Sequence, residues 1–334
     1  MTRPQATDAA NHEPYRTRTR PTRNQTPVIA LADNEPASVA PRAINILTKQ
    51  EVPMPSNFSH VDRTMHNHNV SAVDRGSNYL GFDIGGTGIK GGLVDVGSGD
   101  LIGPGFHVPT PLPATPESVT SAISGMIRDL ERLPSAPPPT APIGVALPAI
   151  IQRGVARSAA NIDPSWIGLD ADTFMSERLG RQVKAINDAD AAGLAEARYG
   201  AGAGNSGVVL VITLGTGIGS ALIVNQRLVP NFELGHLEVD GCKAESRASA
   251  VAREREGLNW PDYSKRLQRY FAHLEFLLSP DLIIVGGGIS VRSDDFLPML
   301  SLRAPTVPAR LRNSAGTVGA VAHLITVETL ARWL

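Results

Sequence analysis

The stretch GFDIGGTGIKGG, residues 81–92, decides the fold. An apolar run leads into Asp83, and glycine then occupies positions 85, 86, 88, 91 and 92. Glycine loses more conformational entropy on folding than any other residue, so this density indicates that something needs bare backbone there. Strand-like residues stand on both sides, YLGFDI before the glycines and KGGLVDV after them, and together they predict a tight β-hairpin.

A second glycine-rich stretch has the same arrangement. VVLVITLGTGIGSALIV, residues 208–224, is typical of a strand, a glycine turn and a strand. Neither stretch is a P-loop, because the Gly-Lys-Ser/Thr ending is absent, and GTGIGS at 215–220 lacks the helix that must follow a dinucleotide fingerprint. We interpret both as hairpins whose backbone N–H groups face an anion, with plain turns as the alternative.

An acidic and a basic residue beside the first hairpin favour a phosphate chain as that anion. Asp83 leads into the hairpin and is expected to bind Mg²⁺ through water, while Lys90 just behind it adds positive charge. The two hairpins would then hold the phosphates from both sides. The predicted phosphate-binding residues are Asp83, Gly85, Gly86, Thr87, Gly88, Lys90, Gly215, Thr216 and Gly217.

The composition limits the class of protein. The chain has 334 residues, of which 42% are hydrophobic and 19% charged, with a net charge of −1. This is typical of a globular protein of two domains and gives no nucleic-acid or membrane signature. The single cysteine, Cys242, permits no internal disulfide and excludes a cysteine-rich zinc cage. Since no apolar run approaches the ~20 residues of a spanning helix, we expect a cytoplasmic protein.

The first 76 residues differ from the rest of the chain. They mix Arg, Thr, Pro and Asn with almost no apolar periodicity, so they cannot bury enough surface to offset the entropy lost on ordering. We predict a disordered N-terminal extension over 1–76. The alternative is a segment upstream of the true start, with Met54 and Met65 as candidate starts.

Strands and helices then follow in a repeated order. Strand triplets followed by helices occur twice, which predicts a two-domain α/β protein with mixed sheets. The small domain is expected over 77–186, joined by a C-terminal helix over 317–334, and the large domain over 187–316. Apolar spacing predicts a helix over 116–133 and two more within 246–278.

Seven motifs in order resemble those of the ROK family of sugar kinases, within the actin-like and hexokinase (ribonuclease H-like) superfamily. The similarity is greatest to its bacterial polyphosphate/ATP glucokinases and glucomannokinases, and it covers everything except the extension. The motifs are GFDIGGTGIKGGLVD (81–95), SAANIDPSWIGLDA (158–171), INDADAAGLAEARYGAGAG (186–204), VITLGTGIGSALI (211–223), PNFELGHLEVDG (230–241), AESRASAVARERE (244–256) and LIIVGGGIS (282–290).

The resemblance implies a fold, a reaction and partners. The fold has a cleft between two domains, and the enzyme phosphorylates glucose, and mannose as well, at the 6-hydroxyl. The donor is inorganic polyphosphate, ATP or both, with Mg²⁺ as cofactor, and the assembly is a homodimer. Many members carry a cysteine-rich zinc loop after the Gly-His pair, whereas this chain has only GCKAES at 241–246, so we expect no zinc.

The resemblance also assigns site residues. It makes Asp188 the catalytic aspartate, which orients the sugar hydroxyl and takes its proton. Asn187 or Asp188 is equally placed to cap the helix that starts there, and capping is compatible with catalysis. Asp190 is expected to point elsewhere on that helix. The implied sugar ligands are Asn161, Asn187, Asp188, Glu233, His236 and Glu245, and the implied nucleotide-binding residues are Gly286, Gly287 and Gly288.

Other functions compete with this interpretation. An ATP-only glucokinase is the nearest alternative. A sugar-responsive ROK-type repressor needs a helix-turn-helix ahead of the core, and 1–76 offers no paired amphipathic helices. A sugar-binding protein without catalysis would lack Asp188 or Asp83. For polyphosphate, the basic residues within 247–269 predict a basic track, with ordinary charge pairing on a solvated helix as the alternative.

Overall fold

The computed structural model describes residues 78–331, so the predicted disordered extension over 1–76 lies outside the described residues. The strands are β1 (Asn78–Ile84), β2 (Gly88–Asp95), β3 (Leu101–Pro109), β4 (Ile143–Leu147), β5 (Ile151–Gln152), β6 (Val155–Ala156), β7 (Val183–Asn187), β8 (Val208–Leu214), β9 (Ile218–Val224), β10 (Arg227–Val229), β11 (Glu238–Val239), β12 (Cys242–Lys243), β13 (Leu282–Gly286) and β14 (Thr306–Pro308). The helices are α1 (Pro116–Leu130), α2 (Ala171–Leu179), α3 (Asp188–Tyr199), α4 (Ala244–Ala248), α5 (Ala250–Arg255), α6 (Trp260–Leu278) and α7 (Ala315–Ala331).

Two five-stranded sheets share one strand order. The first runs β3-β2-β1-β4-β7 and the second β10-β9-β8-β13-β14. In each sheet an antiparallel triplet is extended by two strands parallel to its first member. The predicted repetition of strand triplets in mixed sheets is therefore confirmed. The carboxyl ends of the parallel strands lie at one edge of each sheet, where ligands of α/β proteins bind.

Each sheet has its own apolar core. The core of the first sheet includes Leu80 and Phe82 of β1 and Ile123 of α1, all fully buried. The core of the second includes Ile212 of β8 and Phe271 of α6. Within residues 78–331, no helix combines the length and apolar character needed to cross a membrane.

Helices α3 and α7 pack between the two sheets, and glycines lie at their closest contacts. Helix α7 packs on β1 and β4 of the first sheet, while α3 packs on α7 and on β8 and β9 of the second. A Cβ at Gly144 of β4 would lie 2.2 Å from the carbonyl oxygen of Ala320, and one at Gly319 would lie 1.8 Å from that of Ala191. Because these contacts are backbone to backbone, the helices lie closer to their neighbours than any side chain would allow.

The segment 246–278 differs from its prediction, because it folds as three helices where two were expected. Ser249 has an extended backbone and caps α5 by accepting a hydrogen bond from the N–H of Ala252. Gly257, with a φ of 61°, follows α5, and Asn259 caps α6. Elsewhere the differences are small: the helix predicted over 116–133 ends at Leu130, and the last helix begins at position 315.

Candidate active site

A cleft of about 770 Å³ opens at the carboxyl ends of the parallel strands. Segments that follow β1, β4, β7, β8 and β13 all contribute to its wall, as do the turn before β11 and helices α4 and α5. The six predicted sugar ligands meet in this wall. They are Asn161, Asn187, Asp188, Glu233, His236 and Glu245.

Asp188 begins α3, and its neighbour Asn187 fixes its orientation. Asn187 is the N-cap of α3, and its Oδ1 accepts a hydrogen bond from the N–H of Asp190 at 2.9 Å. Its Nδ2 donates to the carbonyl of Ala149 at 3.1 Å and to Oδ1 of Asp188 at 3.2 Å. That Oδ1 also accepts from the N–H of Ala189 at 2.8 Å. The capping role considered for Asn187 is therefore present, and it also holds the Asp188 carboxylate.

The environment of Asp188 raises the pKa of its carboxyl to about 7. Burial has the largest effect, and the negative charges of Asp83 and Glu233 add to it, whereas the hydrogen bond from Ala189 opposes it. Desolvation and like charges both disfavour the ionised form of an acid. A carboxyl with a pKa near neutrality is suited to accepting a proton during a reaction.

Two carboxyl groups and an imidazole form another part of the cleft wall. Glu233 precedes a short 3₁₀ turn, 234–236, and burial raises the pKa of its carboxyl. His236 Nδ1 lies 3.3 Å from Oε1 of Glu245 in α4. Ser220 of β9 holds the turn, since its hydroxyl donates to the carbonyl of Phe232 at 2.6 Å and accepts from Leu234 at 2.9 Å. Carboxylates and an imidazole gathered in this way can bind several adjacent hydroxyl groups.

A smaller cavity of about 210 Å³ adjoins the cleft, and the two share Asp188 in their walls. Asp83 and Lys90 line it, with Lys90 Nζ 3.6 Å from Oδ2 of Asp83. These residues are paired across β1 and β2. Burial raises the pKa of the Asp83 carboxyl, and the charge of Lys90 opposes this shift. The cavity is also lined by Arg312 and by the three predicted nucleotide-binding residues, Gly286, Gly287 and Gly288.

The two glycine turns reach the same cleft, as predicted. Its wall includes Gly85, Gly86, Gly215, Thr216 and Gly217. The N–H groups of two glycines form hydrogen bonds within the turns themselves. The N–H of Gly85 donates to the carbonyl of Gly88 at 2.9 Å, and that of Gly215 to Gly217 at 3.0 Å.

Packing explains part of the glycine density in the first hairpin. Gly88 is buried, and a Cβ there would lie 2.1 Å from Nε2 of His107 on β3. A Cβ at Gly86 would lie 2.8 Å from Cβ of Asn161. Thr87 at the tip of the turn is exposed. Close packing against Asn161 therefore favours glycine at 86, whereas the exposed His107 side chain could move to admit a Cβ at 88.

Comparison with known proteins identifies the family. Residues 79–254 match the model of the ROK family. The chain belongs to the ROK family. It is 48% identical over 242 residues to the polyphosphate glucokinase of Mycobacterium tuberculosis, a match that covers 72% of this chain and 89% of that relative.

Solved ROK structures are similar over the same part of the chain. The inorganic polyphosphate/ATP-glucomannokinase of Arthrobacter sp. strain KM is 62% identical, with a TM-score of 0.72, covering 75% of this chain and 99% of that one. A ROK family glucokinase from Streptomyces griseus, solved with glucose and AMPPNP, is 27% identical with a TM-score of 0.61, covering 74% and 98%. The predicted actin-like/hexokinase fold, an α/β fold with mixed sheets, is confirmed.

The smaller cavity of this ROK protein suits Mg²⁺, which the family resemblance implies. Within residues 78–331, no group of three or more His, Cys, Asp and Glu side chains is arranged to hold a metal. Mg²⁺ needs no such cage, because it keeps several waters and binds through one or two carboxylates together with phosphates. Asp83 supplies a desolvated carboxylate beside the glycine turns. The residues present therefore fit the ion.

Sequence reasoning missed the residues that connect the walls of the cleft. Asn231 lies in the quoted motif PNFELGH but received no role, and its backbone has a φ of 62°. Its N–H donates to Oδ2 of Asp190 at 2.8 Å. As expected, Asp190 points elsewhere than Asp188, since residues two apart on a helix face different sides. An asparagine directly after Pro230 was the available signal, because Asn tolerates a left-handed backbone.

Proposed function

We propose that this protein transfers a phosphoryl group from inorganic polyphosphate or ATP to the 6-hydroxyl of glucose, and of mannose. The observation that carries the proposal is the position of Asp188, where the cleft with the sugar-type ligands meets the cavity with Asp83 and Lys90. Sugar and donor approaching from these two sides would meet at one carboxylate. The polyphosphate glucokinase and glucomannokinase names of the relatives support the same reaction.

The mechanism follows from what the side chains can do. Oδ2 of Asp188 accepts the proton of the sugar hydroxyl as its oxygen attacks the terminal phosphorus of the donor. The bond from phosphorus to the bridging oxygen breaks, and the shortened donor leaves with the electron pair. Asn187 has both amide hydrogens engaged, so we infer that it acts by holding Asp188 and not as a direct sugar ligand. Asn161, Glu233, His236 and Glu245 bind the remaining hydroxyls.

Charge on the donor is offset in the smaller cavity. Mg²⁺ held by Asp83 through water would neutralise negative charge on the phosphates. Lys90 and Arg312 line the same cavity and add two positive charges. Phosphate oxygens would accept hydrogen bonds from the backbone N–H groups at 86–87 and 216–217, and Gly286, Gly287 and Gly288 would border the nucleotide when ATP is the donor.

The predicted basic track over 247–269 is largely paired with acids. Lys265 lies 2.8 Å from Asp262, and Arg266 lies 2.5 Å from Glu256. Arg269 pairs with Asp240. Ordinary charge pairing, the alternative noted for these residues, therefore describes most of the track. We place the cationic contacts of the donor in the smaller cavity instead.

We propose a division into two domains from the two sheets. Each five-stranded sheet would form the core of one domain, with the small domain over 77–186 plus helix 317–334 and the large domain over 187–316. We also propose a homodimer in the cytoplasm that needs no zinc.

Donor exchange tests the proposed function. Purified protein freed of nucleotide should form glucose 6-phosphate from long-chain polyphosphate, with ATP as a parallel donor and Mg²⁺ present in both reactions. The product is measured with a coupled dehydrogenase. Activity with ATP alone would favour the ATP-only glucokinase, and inactivity with both donors while glucose still binds would contradict the enzyme.

The pH profile should report the ionisation of Asp188. Because the pKa of this carboxyl is raised to about 7, it is protonated and unable to accept a proton at lower pH. We expect kcat/KM for glucose to rise between pH 5.5 and 8 and then level off. Asp190, whose pKa burial also raises to about 7, is the competing source of such a profile. An Asp190→Asn variant should keep the profile, and a profile that is flat from pH 5.5 would contradict the assignment.

A further inference from the structure

Asp190 is a buried acid that the proposed reaction does not use. Its side chain lies in α3 with 1% of the residue exposed. In a capping box, the side chain at this position of a helix returns to the N–H of the N-cap residue. Here the carboxylate instead reaches Asn231, whose N–H donates to Oδ2 at 2.8 Å. Asp190 therefore connects the first turn of α3 with a segment 41 positions further along the chain.

Asn231 in turn binds the segment 148–151, which forms another wall of the cleft. Its Oδ1 accepts from the N–H of Ile151 at 3.0 Å, and its Nδ2 donates to the carbonyl of Ile151 at 2.9 Å. Ile151 begins β5 and directly follows 148–150, which line the cleft. Asn231 itself lies two positions before Glu233. The backbone of Asn231 has a φ of 62°, in the left-handed region that asparagine adopts more readily than most residues, and its side-chain hydrogen bonds to Ile151 hold it there.

We propose that Asp190 is a positioning residue for the hexose. Through Asn231 it fixes the position of the wall 231–236 relative to the wall 148–151. Both walls contribute to the cleft that we assign to the sugar, so this inference rests on the proposed function. Glu233 and His236 belong to one wall, while the other contacts Asn187 through the carbonyl of Ala149. A shift of the wall 231–236 would displace sugar-binding groups, while Asp188 keeps its hydrogen bond from the N–H of Ala189 on α3.

The cost of burying Asp190 supports a role beyond stability. Its Oδ1 is buried without a hydrogen-bond partner among the described residues. Burial raises the pKa of the carboxyl to about 7, and the hydrogen bond from Asn231 lowers it. A buried acid with one unsatisfied oxygen destabilises a fold that a small apolar side chain would serve better. Such local conflicts are expected at functional sites.

Separating KM from kcat tests the inference. In Asp190→Ala the KM for glucose should rise about tenfold, the loss expected for one hydrogen bond, while kcat stays within about threefold. Asp190→Asn keeps an acceptor for the N–H of Asn231, so its KM should stay within about threefold of wild type. Asn231→Ala should raise KM as Asp190→Ala does, and the double variant should add little, because both changes break one chain of hydrogen bonds.

Asp281→Ala is the matched control. Its carboxylate also accepts a backbone N–H, from Val208 at 2.7 Å, but at the amino ends of β8 and β13, away from the cleft. Its KM should equal that of wild type. Unchanged KM in Asp190→Ala and Asn231→Ala, or an equal rise in Asp281→Ala, would overturn the inference while leaving the proposed function intact. A wild-type protein without hexose kinase activity would overturn both.

Discussion

Asp188→Asn should lower kcat for glucose phosphorylation on the order of 10²-fold or more, the usual effect of removing a general base. The amide keeps an oxygen that accepts the N–H of Ala189, so the start of α3 stays in place. It cannot accept a proton from the sugar hydroxyl. Glucose binding, measured by calorimetry without donor, should stay within about threefold of wild type, because the other ligands in the cleft are unchanged.

Asp262→Asn provides a matched control for this change. Asp262 is an exposed acid in the first turn of α6, just as Asp188 is an acid in the first turn of α3. The substitution removes the same charge from the same kind of helix position, and kcat should be unaffected. If Asp188→Asn retains a third or more of wild-type turnover, Asp188 is not the base.

The same variant should gain thermal stability. Since burial raises the pKa of the Asp188 carboxyl from its ordinary value of 3.8 to about 7, this group destabilises the fold increasingly as pH rises between these two values, and the penalty is constant above about pH 7. Asp188→Asn should therefore raise Tm most at pH 8 and less at pH 5.5, where only part of this penalty has developed. A gain in stability with a loss of turnover is what a strained catalytic group predicts.

Local signals explain which parts of the fold the sequence predicts. Both glycine hairpins and the buried strands 143–147 and 282–286 form continuous apolar runs bounded by turn residues, which sequence patterns identify well. Helix α2 has no such pattern, since only Ala171 and Met175 are buried in it, and it was not predicted. The break at Ser249 was missed because the apolar spacing continues across it, while the deciding hydrogen bond is a cap.

In the site, too, local motifs identify some features, whereas others depend on contacts between distant segments. Motifs and the resemblance bring the six sugar-type residues to one cleft, since they follow strand ends and turns. The partners of those residues depend on contacts between distant segments. The hydrogen bond that Asn231 donates to Asp190 spans 41 positions, and the one that Asn231 accepts from Ile151 spans 80. The packing of His107 against Gly88 likewise depends on the register of β2 and β3.

Of the substitutions considered, Gly319→Ala should lower the free energy of unfolding the most. A Cβ at Gly319 would lie 1.8 Å from the carbonyl oxygen of Ala191, and backbone atoms of α3 cannot rotate away as a side chain would. Alanine favours a helix over glycine by about 1 kcal/mol, but overpacking of a tight core costs up to about 3 kcal/mol or more. The net loss of about 2 kcal/mol should lower Tm by about 4–8 °C in calorimetry for a domain of this size.

Gly125→Ala separates helix propensity from packing. Gly125 lies within α1, and a Cβ there would meet only Nη2 of Arg128, at 3.8 Å. This control should raise Tm by about 1–4 °C. Because α3 begins with Asp188 and α7 begins beside Asp83, forcing these helices apart in Gly319→Ala also separates the two carboxylates. Its kcat should therefore fall further than the folded fraction at the assay temperature, and a Tm within 2 °C of wild type would show that the two helices are not held together by this contact.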